Sequence, residues 1–141
     1  TGLNVSAVGL GCGGHSRLGM AGGADEAHAS RIVAAALDLG IDFSDTARAY
    51  GTEPAVGNAI RGRRDRVVIS TKALPDGAAG LMSAAELRDS LELSLQRLGT
   101  DYIDVFHLHG VLVEQYEHCI NVLLPELQRA REAGKIRFVG Y

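Results

Sequence analysis

The sequence predicts an α/β fold on a parallel sheet, and three observations lead there. Apolar runs alternate with helical stripes along all 141 residues. The runs are short and apolar on both faces, as Val67-Val68-Ile69 shows, which is the mark of strands covered by helices. Each stripe closes on a glycine or a basic turn before the next run begins. The order is β-α-β-α-β-α-β-α-β, in one domain over residues 1–141.

The first strand is expected from Val5 to Gly11, followed by a glycine-rich and hence mobile loop, His15 to Gly23. A helix from about Asp25 to Leu39 stops at Gly40. The second strand runs from Ile41 to Asp45, and a helix starting near Thr52 turns Val56 and Ile60 inward. Val67 to Lys72 form the third strand. The clearest helix opens at Ser83 with Glu86 three residues on, a capping box, and carries Leu87, Leu91, Leu95 and Leu98 on one face before Gly99. The fourth strand is Tyr102 to His109. A last helix follows Pro125 through Leu127 and Ala130 to Gly134, and Ile136 to Tyr141 form the fifth strand.

Composition excludes several classes of protein. With 46% hydrophobic and 22% charged residues the chain is too apolar for disorder. A domain of this size buries roughly two-thirds of the surface its unfolded chain exposes, so it needs no disulfide or metal to fold. Cys12 and Cys119, far apart and outside any C-x-x-C pattern, predict reduced thiols and a cytoplasmic chain. A net charge of -3 removes the electrostatic reason for a nucleic-acid or anionic-membrane partner. No run approaches the roughly 20 apolar residues of a membrane span, and TGLNVSAVGLG has none of the regions of a signal peptide.

Two architectures fit the element order. One is a five-stranded doubly wound sheet. The other is a (β/α)8 barrel of about 250 residues, of which this chain supplies a part. Thr1 in place of an initiating Met, and an end at Gly140-Tyr141 inside an apolar strand, favour the partial barrel.

Both architectures place their sites at the C-terminal ends of the strands. Asp45, Lys72 and His109 end the second, third and fourth strands, and Tyr50 lies just beyond the second. By alternation Asp45 shares a face with Ile41 and Phe43, Lys72 with Val68 and Ser70, and His109 with Ile103 and Val105. A Lys and an Asp that face inward from neighbouring strands are costly to bury alone and should pair. A phenol is a weak proton source at neutral pH, and a neighbouring ammonium strengthens it by favouring the phenolate. A proton donor at a carbonyl oxygen, with no candidate nucleophile, implies attack at carbon by something brought in, such as hydride from a nicotinamide cofactor.

The segments GIDFSDTARAYG, then Glu53 and Val56-Gly57, VVISTK, SLQRLGTDYIDVFHLHG and GKIRFVG resemble the aldo-keto reductases, in order and along nearly the whole chain. The resemblance implies a (β/α)8 barrel, here its first five strands and four helices, that reduces aldehydes or ketones with NADP(H), less often NAD(H), and without a metal. It implies Tyr50 as general acid, Lys72 and Asp45 as its activating pair, and His109 as the histidine that orients the substrate. Gly11, Cys12 and Gly13, with Asp45, would meet the nicotinamide ribose. The family's later cofactor-binding segments lie beyond Tyr141, so the expectation is a half-site with little turnover alone. A missing C-terminal half, or self-association, would complete it, with Val5 to Val8 contributing a hairpin at the lower end. A cofactor-sensing or partner-docking subunit without catalysis would carry the same four residues.

Four other signals are read as structural. Gly9 to Gly14 contain a G-x-G-x-x-G spacing, but no helix opens there to meet a pyrophosphate, so a plain turn is expected. His107 and His109 face the same way and suit a metal-dependent barrel hydrolase, yet Lys72 beside them would repel a cation; His107 is expected as a hydrogen-bonded interior residue. Arg61 to Arg66 read as a solvated turn, and His118 and Cys119 carry no assigned chemistry.

Overall fold

A computed structural model describes residues 1–140. It contains β1 (Leu10–Gly11), α1 (Glu26–Asp38), β2 (Phe43–Asp45), α2 (Glu53–Ile60), β3 (Val68–Ala73), β4 (Asp76–Gly77), β5 (Gly80–Leu81), α3 (Ala84–Leu98), β6 (Ile103–Leu108), α4 (Tyr116–His118), α5 (Leu124–Glu132) and β7 (Ile136–Gly140). The expected last residue of the final strand, Tyr141, lies outside the described residues.

Strand order decides between the two architectures. The main sheet runs β1-β2-β3-β6-β7, parallel throughout, with no reversal. Parallel crossovers are right-handed, so successive steps in one direction put every helix on the same face of the sheet. The contacts agree, since α1 packs on α2, α2 on α3 and α3 on α5 as one layer. A doubly wound sheet needs a reversal to place helices on both faces, and this sheet has none. It is the open wall of a barrel.

The two faces of that wall differ. Toward the helices point Ser44, Ile69, Thr71, Ala73, Phe106 and Leu108, all buried. They meet Leu87, Leu91 and Leu98 of α3, the face predicted from the leucine spacing, and the Ser83–Glu86 capping box forms as expected. Toward the barrel interior point Phe43, Val68, Val105 and Phe138, only half-buried. Asp45, Lys72, His107 and His109 lie on this inner face.

Five expectations need correction. The first strand shrinks to two residues: Val5 and Val8 are exposed, and Ser6 bonds Asp42 by an exchange of side-chain and backbone groups in place of a ladder. The hairpin expected at Val5 to Val8 is absent among the described residues. The last helix starts well before Pro125, at Tyr116, and passes through a π-helical turn, Cys119–Leu123. The wider register ends just ahead of the proline, whose missing N–H and bulky ring would otherwise break an α-helix. A short hairpin, β4 with β5, follows β3; Pro75 and the flanking glycines hid it, because two-residue strands carry no periodicity. Finally, Arg64 is not solvated. Its guanidinium bonds Asp104, Val67 O and Tyr102 O and stacks on the Tyr102 ring at 3.8 Å. Asp104, 1% exposed, also accepts from Arg137 and from the Ile69 N–H, so this cluster ties β3, β6 and β7 together below the site.

Candidate active site

Parallel register places the polar inner-face positions at two adjacent levels. Gly11 pairs with Asp45, Asp45 with Ser70, and Lys72 with His107. The expected ion pair forms: Lys72 Nζ lies 2.7 Å from each Asp45 carboxylate oxygen and 2.9 Å from the carbonyl of Thr46. Those three acceptors use all three ammonium protons. Ser70, 1% exposed, donates its hydroxyl to Asp45 Oδ1 at 2.8 Å and holds the carboxylate from the other side. The mostly buried ammonium is stable because each of its protons has an acceptor, while the part-exposed Asp45 carboxylate keeps acceptor capacity toward the inner face.

Tyr50 reaches the same place from the loop after β2. A 3-10 turn, Arg48–Tyr50, closes with Gly51 in the left-handed region (φ 73) and points the phenol back over the strand ends. Its hydroxyl is 3.5 Å from His109 Nε2, long for a hydrogen bond, and the two rings meet edge to face with centroids 5.6 Å apart. Lys72 Nζ sits 5.3 Å from the centre of the Tyr50 ring. The structure therefore gathers all four candidates, Asp45, Tyr50, Lys72 and His109, on one side of the sheet. The ammonium faces the tyrosine ring and makes no bond to its oxygen among the described residues.

Of the two histidines on this face, only His107 departs from expectation. Burial, then the charge of Lys72, push His109 below the usual imidazole range, partly offset by Asp45. Its ring is thus neutral at neutral pH, and its Nδ1 is buried without a hydrogen-bond partner among the described residues. His107 is shifted the same way, again chiefly by burial and then by Lys72. Its expected hydrogen bond is not found among the described residues. The ring instead occupies the space over Gly140, where a Cβ would come within 2.1 Å of Nδ1. A metal held by His107 and His109 would need a further ligand, and Asp45 is committed to Lys72 and Ser70.

Of the four residues expected at the cofactor, Gly11, Gly13 and Asp45 face the site. Cys12 is wholly buried on the helix side, and its N–H donates to the Asp45 carbonyl, so neither its thiol nor its amide is free for a ligand. After β1 the glycine-rich segment forms turns and a 3-10 helix, Met20–Gly22, well before α1, as the plain-turn reading expects. Sequence reasoning missed Ser70, the Thr46 carbonyl and the packing role of Gly13, where a Cβ would lie 2.5 Å from the Tyr50 ring. Ser70 was visible as the residue two before Lys72 on the same face; the other two needed the loop's path.

A parallel sheet wound one way, with polar side chains gathered at the carboxyl ends of its strands, defines one wall of a (β/α)8 barrel. The profile of the Aldo/keto reductase family matches residues 8–141, and the chain belongs to that family. It is 35% identical to the uncharacterized oxidoreductase YqkF of Bacillus subtilis, over 98% of this chain and 45% of the relative. It is also 35% identical to L-galactose dehydrogenase of Arabidopsis thaliana, over 99% and 45%. Among solved structures it resembles the holo form of aldo-keto reductase AKR11C1 from Bacillus halodurans, with a TM-score of 0.80 at 35% identity, over 98% of this chain and 46% of that one. The chain spans about half the length of the relatives it matches.

Proposed function

We propose that this chain carries the proton-transfer half of a nicotinamide-dependent oxidoreductase that reduces aldehydes or ketones to alcohols with NADP(H), or NAD(H). The observation that carries the reading is the Tyr50 hydroxyl beside His109, with the tyrosine ring facing an ammonium clamped by Asp45. His109, neutral, orients the substrate oxygen next to that hydroxyl. Tyr50 gives its proton to the oxygen as the bond order at carbon falls, and the Lys72 charge stabilises the phenolate left behind. Solvent then restores the proton. Asp45 and Ser70 keep the ammonium in place. In reverse the same residues take a proton from an alcohol, the direction in the name of the Arabidopsis relative.

The residues present fit one end of the cofactor. Gly11 sits on the inner face in register with Asp45, and a Cβ there would meet nothing within 4 Å, so the space before it is open. The Asp45 side chain is 38% exposed and offers an acceptor to a ribose hydroxyl. Held there, a reduced nicotinamide would supply the hydride for the carbonyl carbon. Association with a second copy, or with the remaining half of a barrel, would cover the half-buried inner face. A reduced cytoplasmic setting suits two buried thiols. No described helix is long and apolar enough to cross a membrane.

The test is NADPH consumption with a panel of aldehydes and ketones, run on the 141-residue chain and on a form extended by the rest of a relative's barrel. We expect little turnover from the first and broad aldehyde reduction by the second. Tyr50→Phe in the extended form should lose about 10²–10⁴-fold in rate while still binding NADPH. Turnover unchanged in that variant would overturn the assignment of Tyr50. NADPH bound without any turnover by the extended form would favour a cofactor-sensing or docking subunit.

A further inference from the structure

Thr52 stands where a helix-capping residue belongs, yet it does not cap. It precedes Glu53 as the N-cap of α2, but its hydroxyl accepts no helix amide, and its backbone (φ -96, ψ -3) is not extended as a capping residue's usually is. One of the amides such a hydroxyl would serve is missing, because position 54 is proline. The Thr52 hydroxyl bonds instead to that of Thr46 at 2.8 Å, and both residues are wholly buried. These two threonines bracket the loop that carries Tyr50.

Thr46 is held on its other sides by the site itself. Its carbonyl accepts from Lys72 Nζ at 2.9 Å, and its N–H donates to the Ser70 carbonyl at 2.8 Å. The hydroxyl bond therefore joins the start of α2 to the residue that shares the Lys72 ammonium with Asp45. Tyr50 has no strong anchor of its own. Among the described residues the tip of its side chain has only the 3.5 Å contact to His109, and its ring rests against the Gly13 backbone. Where the ring lies is set by the loop that carries it.

We propose that the buried Thr46–Thr52 hydroxyl pair is a latch that positions Tyr50 against His109 and over Lys72. The pair closes the loop at its base, and both threonines are positioning residues that touch no reacting atom. The purpose of the latch rests on Tyr50 being the proton donor; its geometry does not, and the test reads geometry alone.

The edge-to-face stacking of Tyr50 on His109 supplies the readout, since an aromatic ring shifts the NMR signals of protons near its edge and face. The His109 ring-proton signals are identified by their loss in His109→Gln, and Tyr50→Ala gives their positions without the ring. In Thr52→Val, which keeps the shape and removes the hydroxyl, they should move most of the way to the Tyr50→Ala positions. Thr52→Ser should return them to wild type. A Thr52→Val protein whose His109 signals stay at the wild-type positions, even with a lowered melting temperature, would overturn the proposal, because the bond would then stabilise the fold without placing the ring. Should Thr52→Val not fold, Thr46→Val removes the same bond from its other end, with the same two outcomes. Failure of the catalytic reading is separate: Tyr50→Phe would retain turnover there while leaving the His109 ring stacked as before.

Discussion

Gly13 and Cys12 are neighbours with opposite fates, and side-chain direction at a strand end explains both. Gly13 turns toward the inner face, where its bare Cα lets the Tyr50 ring lie against the backbone. In a turnover-competent form Gly13→Ala should displace the phenol and cost about 10²-fold in kcat, the scale expected for a reacting group moved by roughly 1 Å, with a melting temperature close to wild type. Equal kcat in the two proteins would show that the ring is placed without Gly13. Cys12 turns into the core, and its thiol is pushed up to about 12, first by burial and then by the Asp45 charge, against the opposing pull of Lys72. Burial and Asp76 raise the Cys119 thiol as well. Since the thiolate is the reactive form, a disulfide reagent at neutral pH should modify neither cysteine until the protein is denatured. Prompt labelling of Cys12 in the native protein would contradict its placement.

Among the elements, α3 shows how local chemistry sets a boundary. Ser83 accepts from the Glu86 N–H, Glu86 reaches back to the Ser83 N–H, and Gly99 ends the helix in the left-handed region (φ 63). Ser83→Ala should destabilise the protein by about 1 kcal/mol in urea denaturation. Its bonds to the Ser83 backbone and hydroxyl, and to the Ala78 N–H, hold the Glu86 carboxyl below the usual glutamate range. The capping box thus contributes stability above the ordinary glutamate value and loses it as pH falls through the lowered one. A cap that survived protonation of Glu86 unchanged would argue against this account. The α2–α3 crossing is set by Gly57, where a Cβ would come 2.6 Å from the carbonyl oxygens of Arg97 and Leu98. Backbone cannot yield as a side chain does, so Gly57→Ala should cost about 1–3 kcal/mol by the same measurement. The sequence announced α3 to the residue because caps and leucine spacing are local. It misjudged the start of the last helix because a π turn ahead of a proline looks like no helix at all.

For the whole molecule, the inner face of the sheet governs behaviour in solution. Phe43, Val68, Val105 and Phe138 are half-buried there, and β1 and β7 keep free edges in the described sheet. Apolar surface next to open strand edges favours association, so sedimentation of the 141-residue chain should show mass rising with concentration. A monomer at all concentrations would show that this face tolerates water. Acid stability follows from the two histidines on the same face. Both are held below the ordinary value of 6.5, chiefly by burial, so the unfolded chain takes up protons at a higher pH than the folded one. Stability should therefore fall as pH drops through 6.5 toward the folded values, and level off below them. Replacing His107 by Asn should flatten that slope, as followed by urea midpoints across the window. An unchanged slope would place the titration elsewhere.

What the sequence determined by itself was the order of elements, the capped and periodic helices, and the four polar residues at the strand ends, because alternation, capping and side-chain type act over a few neighbours. Pairing of Lys72 with Asp45 followed from the same logic, since two inward charges on adjacent strands have little else to bond. Tertiary structure alone decided the rest. The single direction of winding depends on which strand pairs with which. Tyr50 meets His109 across 59 residues only because two loops converge above a shared register. Arg64 left the solvent for Asp104, and Thr52 left its helix cap for Thr46, because partners far along the chain, or across a loop, outcompeted the local ones. A hydrogen bond offered by the folded interior excludes water and outweighs a cap or a solvated turn, and no local pattern in the chain records where that partner will be.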